Sequence, residues 1–148
     1  MLSHKAKYGL KALTYLAAHD GAGPVLISEI AARQEIPRKF LDTILLELKQ
    51  QGILSSKKGK GGGYQLARSA DTIMIGHVIR ILDGPLAPIA CVSRTAYRRC
   101  EDCPDERACG VHSVMQDVRD GIAAILDNTT LADLEARSRP ECGAGKSA

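Results

Sequence analysis

From Ser28 to Leu66 the chain reads SEIAARQEIPRKFLDTILLELKQQGILSSKKGKGGGYQL. Ser28 has the chemistry of a helix N-cap, and Glu29 in the first turn complements the helix dipole. A short helix to about Arg33 points Ile30 and Ala31 inward. Gln34-Glu35-Ile36-Pro37 is a tight link, and Pro37 suits the start of a second helix because its missing N–H costs nothing there. That helix, Arg38 to Gln51, sets Leu41, Ile44, Leu45 and Leu48 on one stripe and leaves Arg38, Lys39, Asp42 and Thr43 on another face. Gly52 stops it. Two helices joined this tightly, the second opening on polar and basic residues, form the pattern of a helix-turn-helix.

Two short strands are expected next, Ile53 to Ser56 and Tyr64 to Ala67, around a turn rich in lysine and glycine. Such a hairpin tip can approach another backbone closely, and Lys57, Lys58 and Lys60 can neutralise phosphates or enter a narrow minor groove. The glycines do not make a nucleotide cradle, since no GKS or GKT follows and no βαβ unit surrounds them.

On the N-terminal side, Tyr8, Ala12, Leu13, Tyr15 and Leu16 recur at helical spacing from Lys5 to Ala18, and HDGAGP ends that helix. On the C-terminal side a short helix around Gly76 to Leu82 leads through Pro85 and Pro88 to CVSRTAYRRCEDCPDERACGVH, Cys91 to His112. Beyond it, Val111, Val114, Val118, Ile122 and Ile125 mark a long amphipathic helix, with Met115 and Leu126 beside the stripe. Thr130 and Asp133 resemble a capping box for a last helix. The expected class is therefore mainly α with a small β-hairpin wing: a winged helix-turn-helix plus a long C-terminal dimerisation helix. Its parts are a DNA-binding region (1–70), a connector (71–90), a cysteine-rich loop (91–112), the dimerisation and terminal helices (113–137) and a flexible tail (138–148).

Charge follows the same division. Residues 1–70 hold 11 Lys/Arg against 5 Asp/Glu, and residues 71–148 hold 9 against 12. A basic front suits a polyanion, here a double-stranded DNA operator. With four Tyr, one Phe and no Trp, the chain lacks the aromatic platforms that stack single-stranded bases. No export signal or transmembrane run is evident, so a cytoplasmic protein with no membrane partner is expected.

Four of the five cysteines and one of the four histidines fall between Cys91 and His112. Soft ligands this crowded, without an export signal, indicate metal or redox chemistry rather than a disulfide framework. Cys100, Cys103, Cys109 and His112 make a plausible tetrahedral zinc set that leaves Cys91 idle. A thiol/disulfide switch is a second possibility. Three thiolates and one nitrogen also suit an iron–sulfur cluster. No oxyanion motif accompanies His112, so neither an enzyme nor a small-molecule substrate is expected.

The helix-turn-helix, the wing SSKKGKGGGY, the cysteine loop and the helix ending in ILDNTTLADL together resemble the bacterial iron–sulfur winged-helix regulators typified by IscR, NsrR and RirA. The resemblance covers roughly residues 1–135. It implies a homodimeric transcription factor, expected to be a repressor, whose recognition helix enters the major groove and whose wing reaches the minor groove. It implies a 2Fe–2S cluster, or alternatively 4Fe–4S, on Cys91, Cys103, Cys109 and His112, with Cys100 as the alternative ligand. The 11 residues between Cys91 and Cys103 exceed the usual family gap. The acidic ligand of NsrR-like members falls on Lys7, which cannot serve. Expected DNA contacts are Arg38, Lys39, Asp42 and Thr43 to bases, with Ser28, Lys57, Lys58 and Lys60 to phosphates or the minor groove.

Overall fold

The computed structural model describes residues 2–138; residue 1 and residues 139–148, which include Cys142 and nearly all of the expected tail, lie outside the described residues. Six helices and one hairpin follow in order: α1 (His4–Ala18), α2 (Ile27–Gln34), α3 (Arg38–Gln50), β1 (Leu54–Lys57), β2 (Gly63–Leu66), α4 (Ile75–Asp83), α5 (Gly110–Leu126) and α6 (Leu131–Ser138). The architecture is mainly α with a two-stranded antiparallel wing, as expected from the sequence.

The core lies where α1 crosses α3, α4 and α6. Leu41, Ile44, Leu45 and Leu48 of α3 are all buried, the stripe read from their spacing. Each such side chain contributes about 1.5–3 kcal/mol through removal from water. On α1 the buried line is Ala6, Gly9, Ala12, Leu13 and Leu16, while Tyr8 and Tyr15 sit at its edge. Gly9 lets the helices cross closely: a Cβ there would stand 2.3 Å from Leu82 Cδ1, so the leucine side chain would have to shift. Ser3 caps α1 by accepting from the Ala6 N–H at 3.0 Å, and it also bonds Asp83 at the end of α4.

Ser28 is not an N-cap. The chain is extended through Val25, which exchanges two 2.8 Å backbone bonds with Tyr64 at the root of the wing. That bridge ends at Leu26, whose carbonyl accepts from Glu29 and Ile30, so α2 begins at Ile27 and leaves Ser28 in its first turn. Glu35, in the left-handed conformation at φ 53°, makes the tight link to α3. The hairpin pairs Leu54 with Leu66 and Lys57 with Gly63, so its strands lie one residue nearer the tip than expected. Gly63 is needed at the root: its φ is 145°, and a Cβ would stand 2.2 Å from the Val25 carbonyl oxygen.

The C-terminal end is tied back to the connector. Ile75 N–H donates to the Thr129 carbonyl at 2.9 Å and Leu131 N–H to the Ile73 carbonyl at 2.8 Å. Thr130 and Asp133 form the anticipated capping box, each backbone N–H donating to the other's side chain at 2.9–3.0 Å. α6 then runs to Ser138, taking in the first residue of the expected tail. No residue of α5 is buried, and Val111, Val114, Val118 and Ile125 of its apolar stripe are exposed. No helix among the described residues is long and apolar enough to cross a membrane.

Candidate nucleic-acid interface and metal centre

Helix α3 presents its outer face beside the wing. Arg38, Lys39, Asp42 and Thr43 are all exposed there, and Ser28 is exposed near the start of α2. Lys57 ends β1, Lys58 and Lys60 sit on the turn, and all three are exposed. The two surfaces adjoin: burial pushes the Tyr64 hydroxyl of β2 up in pKa, and the negative charge of Asp42 adds to the shift. Phe40 turns toward α1 instead. It is 60% exposed in the first turn of α3, against the ring of Tyr8 at 6.5 Å.

The cysteine segment is irregular but anchored at both ends. Ala90–Val92 form a single 3-10 turn that buries Cys91, which is only 8% exposed. At the other end Cys109 caps α5, its sulfur accepting from the His112 N–H at 3.4 Å. The His112 imidazole Nδ1 then lies 3.4 Å from the Cys91 sulfur, joining the two anchors. Cys103 and Cys109 are half-buried, and Cys100 is exposed on the loop between.

Burial pushes the Cys91 thiol up in pKa, and the Glu106 carboxylate adds to the shift. Burial raises the Cys103 thiol too, and the neighbouring Cys109 adds to the shift. These thiols are protonated near neutral pH unless a cation or metal draws the proton away. Cys91, Cys100, Cys103, Cys109 and His112 line one cavity of about 410 Å³, shared with Asp102, Asp105 and Glu106. Among the described residues, no three His, Cys, Asp or Glu side chains stand close enough to hold a single metal ion as placed. The donors are soft and share one space, a chemistry that fits an iron–sulfur cluster and a zinc ion alike.

From sequence, Arg119 belongs only to the polar side of α5. In the structure its side chain is 12% exposed, and Nη1 donates to the Val92 carbonyl at 2.6 Å. Its position seven residues after His112, on the same side of one helix, was the available clue.

Residues 2–137 match the family model described as Rrf2, an iron-dependent transcriptional regulator. The chain belongs to the Rrf2 family. An rrf2-like HTH-type transcriptional regulator from Rhodobacter capsulatus is 40% identical over 143 residues, 95% of either chain. Among solved structures, CymR, described as the global cysteine regulator of B. subtilis, superposes with TM-score 0.78 at 29% identity, covering 94% of this chain and 98% of its own. T. potens IscR superposes with TM-score 0.74 at 31% identity, covering 94% and 88%. This Rrf2 protein is thus a transcriptional regulator with IscR-like and CymR-like relatives, a non-enzymatic role.

Proposed function

We propose that this Rrf2 regulator is a cytoplasmic, homodimeric repressor whose binding to a palindrome-like DNA operator responds to an iron–sulfur cluster, with 2Fe–2S favoured over 4Fe–4S. The observation that carries this reading is the single cavity lined by four thiols and His112 at the root of α5. Cys91, Cys103, Cys109 and His112 would hold the cluster. Cys91 is preferred to Cys100 because it is buried and already paired with His112, whereas Cys100 is exposed on the loop. When bound, the cluster supplies an iron- and redox-sensitive tie among these donors.

The protein's own residues do the rest. Arg38, Lys39, Asp42 and Thr43 read base edges, and Ser28, Lys57, Lys58 and Lys60 hold phosphates or the minor groove. The exposed stripe of α5 pairs with the same stripe of a second copy, the two-fold arrangement that a palindromic site requires. Residues 1–70 then read DNA, 91–112 sense, and 113–137 pair the subunits. The sensing loop opens directly into the pairing helix, so a change in one biases the other.

Anaerobic purification with iron, sulfide and zinc analysis tests the reading. Visible absorbance with iron and sulfide bound is expected. A colourless protein with one zinc per chain would replace the cluster by a structural zinc site. A colourless, metal-free protein that loses DNA binding on oxidation would favour a thiol switch, for which the support is that four thiols line one cavity.

A further inference from the structure

Helix α5 meets the Cys91 segment at two places. At the first, His112 Nδ1 lies 3.4 Å from the Cys91 sulfur. At the second, seven residues and about two helical turns further on, Arg119 Nη1 donates to the Val92 carbonyl at 2.6 Å. The guanidinium is held in that pose by its neighbour: Nε and Nη2 donate to Asp120 Oδ1 at 2.9 and 2.7 Å. The same oxygen accepts from Arg94 Nη2 at 3.0 Å. Val92 and Arg94 bracket Ser93, so α5 grips the chain just after Cys91 on its backbone and again on a side chain.

The two grips differ in strength. The Arg94–Asp120 pair is exposed, with Arg94 at 73%, and water screens it. The Arg119 bond to Val92 is shielded and charge-assisted, the stronger kind. Cys100 and Cys103 ride on the loop between the anchors without such a hold on α5. The Cys91 turn is therefore fixed to the helix by a residue that is not itself a candidate ligand.

We propose that Arg119 is a positioning residue for the sensing site: through the Val92 carbonyl it keeps Cys91 in register with His112, and through it a displacement of Cys91 is passed to α5. The second half rests on the cluster reading above; the first half does not.

Two measurements on the full chain separate these halves. In the metal-free, reduced protein, alkylation of each cysteine by N-ethylmaleimide is followed by mass spectrometry. Arg119→Met is expected to speed alkylation of Cys91 about ten-fold, the equivalent of losing one charge-assisted hydrogen bond, with Cys103 and Cys109 unchanged. Wild-type reactivity at Cys91 in a variant of native helicity overturns the clamp, and so does an equal rise at all three thiols, which would be general loosening. If Arg119→Met does not fold, Arg119→Lys decides by the same criteria, since lysine lacks the planar fork that reaches Val92 and Asp120 together.

In the reconstituted protein, chelator-driven loss of visible absorbance should be about ten-fold faster in Arg119→Met, again one such bond. In a Cys100→Ala background, expected to keep the chromophore, the same change should accelerate loss equally. Loss at the wild-type rate in Arg119→Met overturns the positioning role. A wild-type chain that takes up no chromophore would sink the cluster reading, while the alkylation result still decides the clamp.

Discussion

Arg80 and Asp127 meet in a two-pronged ion pair, Nη1 to Oδ1 at 2.6 Å and Nη2 to Oδ2 at 2.9 Å, that ties α4 to the end of α5. The guanidinium holds the Asp127 carboxyl below its ordinary value of 3.8. A carboxyl depressed by folding contributes stability above its ordinary pKa and loses it as pH falls through the folded value. The pair should therefore stabilise fully at neutral pH and fade below about pH 4. Its side chains are 35% and 40% exposed, so about 1 kcal/mol or less is expected. Urea titration should find Arg80→Met less stable at neutral pH and level with wild type below the carboxylate range. A gap that stays constant with pH would refute the assignment.

Gly76 makes room for this pair. A Cβ there would stand 2.1 Å from Asp127 Oδ1 and 3.2 Å from Arg80 Nη1. Glycine to alanine inside a helix normally stabilises by about 1 kcal/mol. At Gly76 that gain should be largely cancelled, because the ion pair, worth about 1 kcal/mol or less, must open. Combined with Asp127→Ala the gain should return, since the obstruction is gone. Thermal unfolding of the four proteins in this cycle gives the answer, and additivity would count against it.

The wing lysines are expected to act without regard to sequence. Replacing Lys58 and Lys60 by alanine should weaken binding to every DNA tested and reduce the slope of log affinity against log salt by about 0.9 for each phosphate no longer neutralised. Fluorescence anisotropy across a salt series measures both. Unchanged binding at moderate salt would remove the wing from the interface.

Cys91 and Cys100 should separate cleanly. Cys100→Ala is expected to keep visible absorbance and bound iron after anaerobic purification, because Cys100 is exposed and outside the His112 contact. Cys91→Ala should lose both. The reverse pattern would transfer the ligand role to Cys100.

The features legible in the sequence were those carried by local rules. The α3 stripe follows from helical period, the Thr130–Asp133 box from capping chemistry, and the wing turn from its glycines and lysines. Ser28 misled because a good capping residue was overruled by a tertiary bond: the Val25–Tyr64 bridge, spanning 39 positions, determines where α2 begins. Nothing local could reveal it. Arg119 was missed for a related reason, since its partner is a backbone carbonyl 27 residues earlier, and a carbonyl leaves no mark in the residue pattern. The α5 stripe was visible as a stripe; that it stays exposed among the described residues needed the structure.

The bridge at Val25 has a consequence for how such a protein evolves. Because it fastens the wing to the start of α2, the wing is held to the helix-turn-helix, and on the proposed function motion arriving through α5 would reposition the two together. On that reading, what signal is heeded and which operator is chosen would be separately adjustable: substitutions from Cys91 to Arg119 would retune the first, and substitutions on α3 and the wing the second. A lineage could exchange its sensor chemistry while leaving its set of genes untouched.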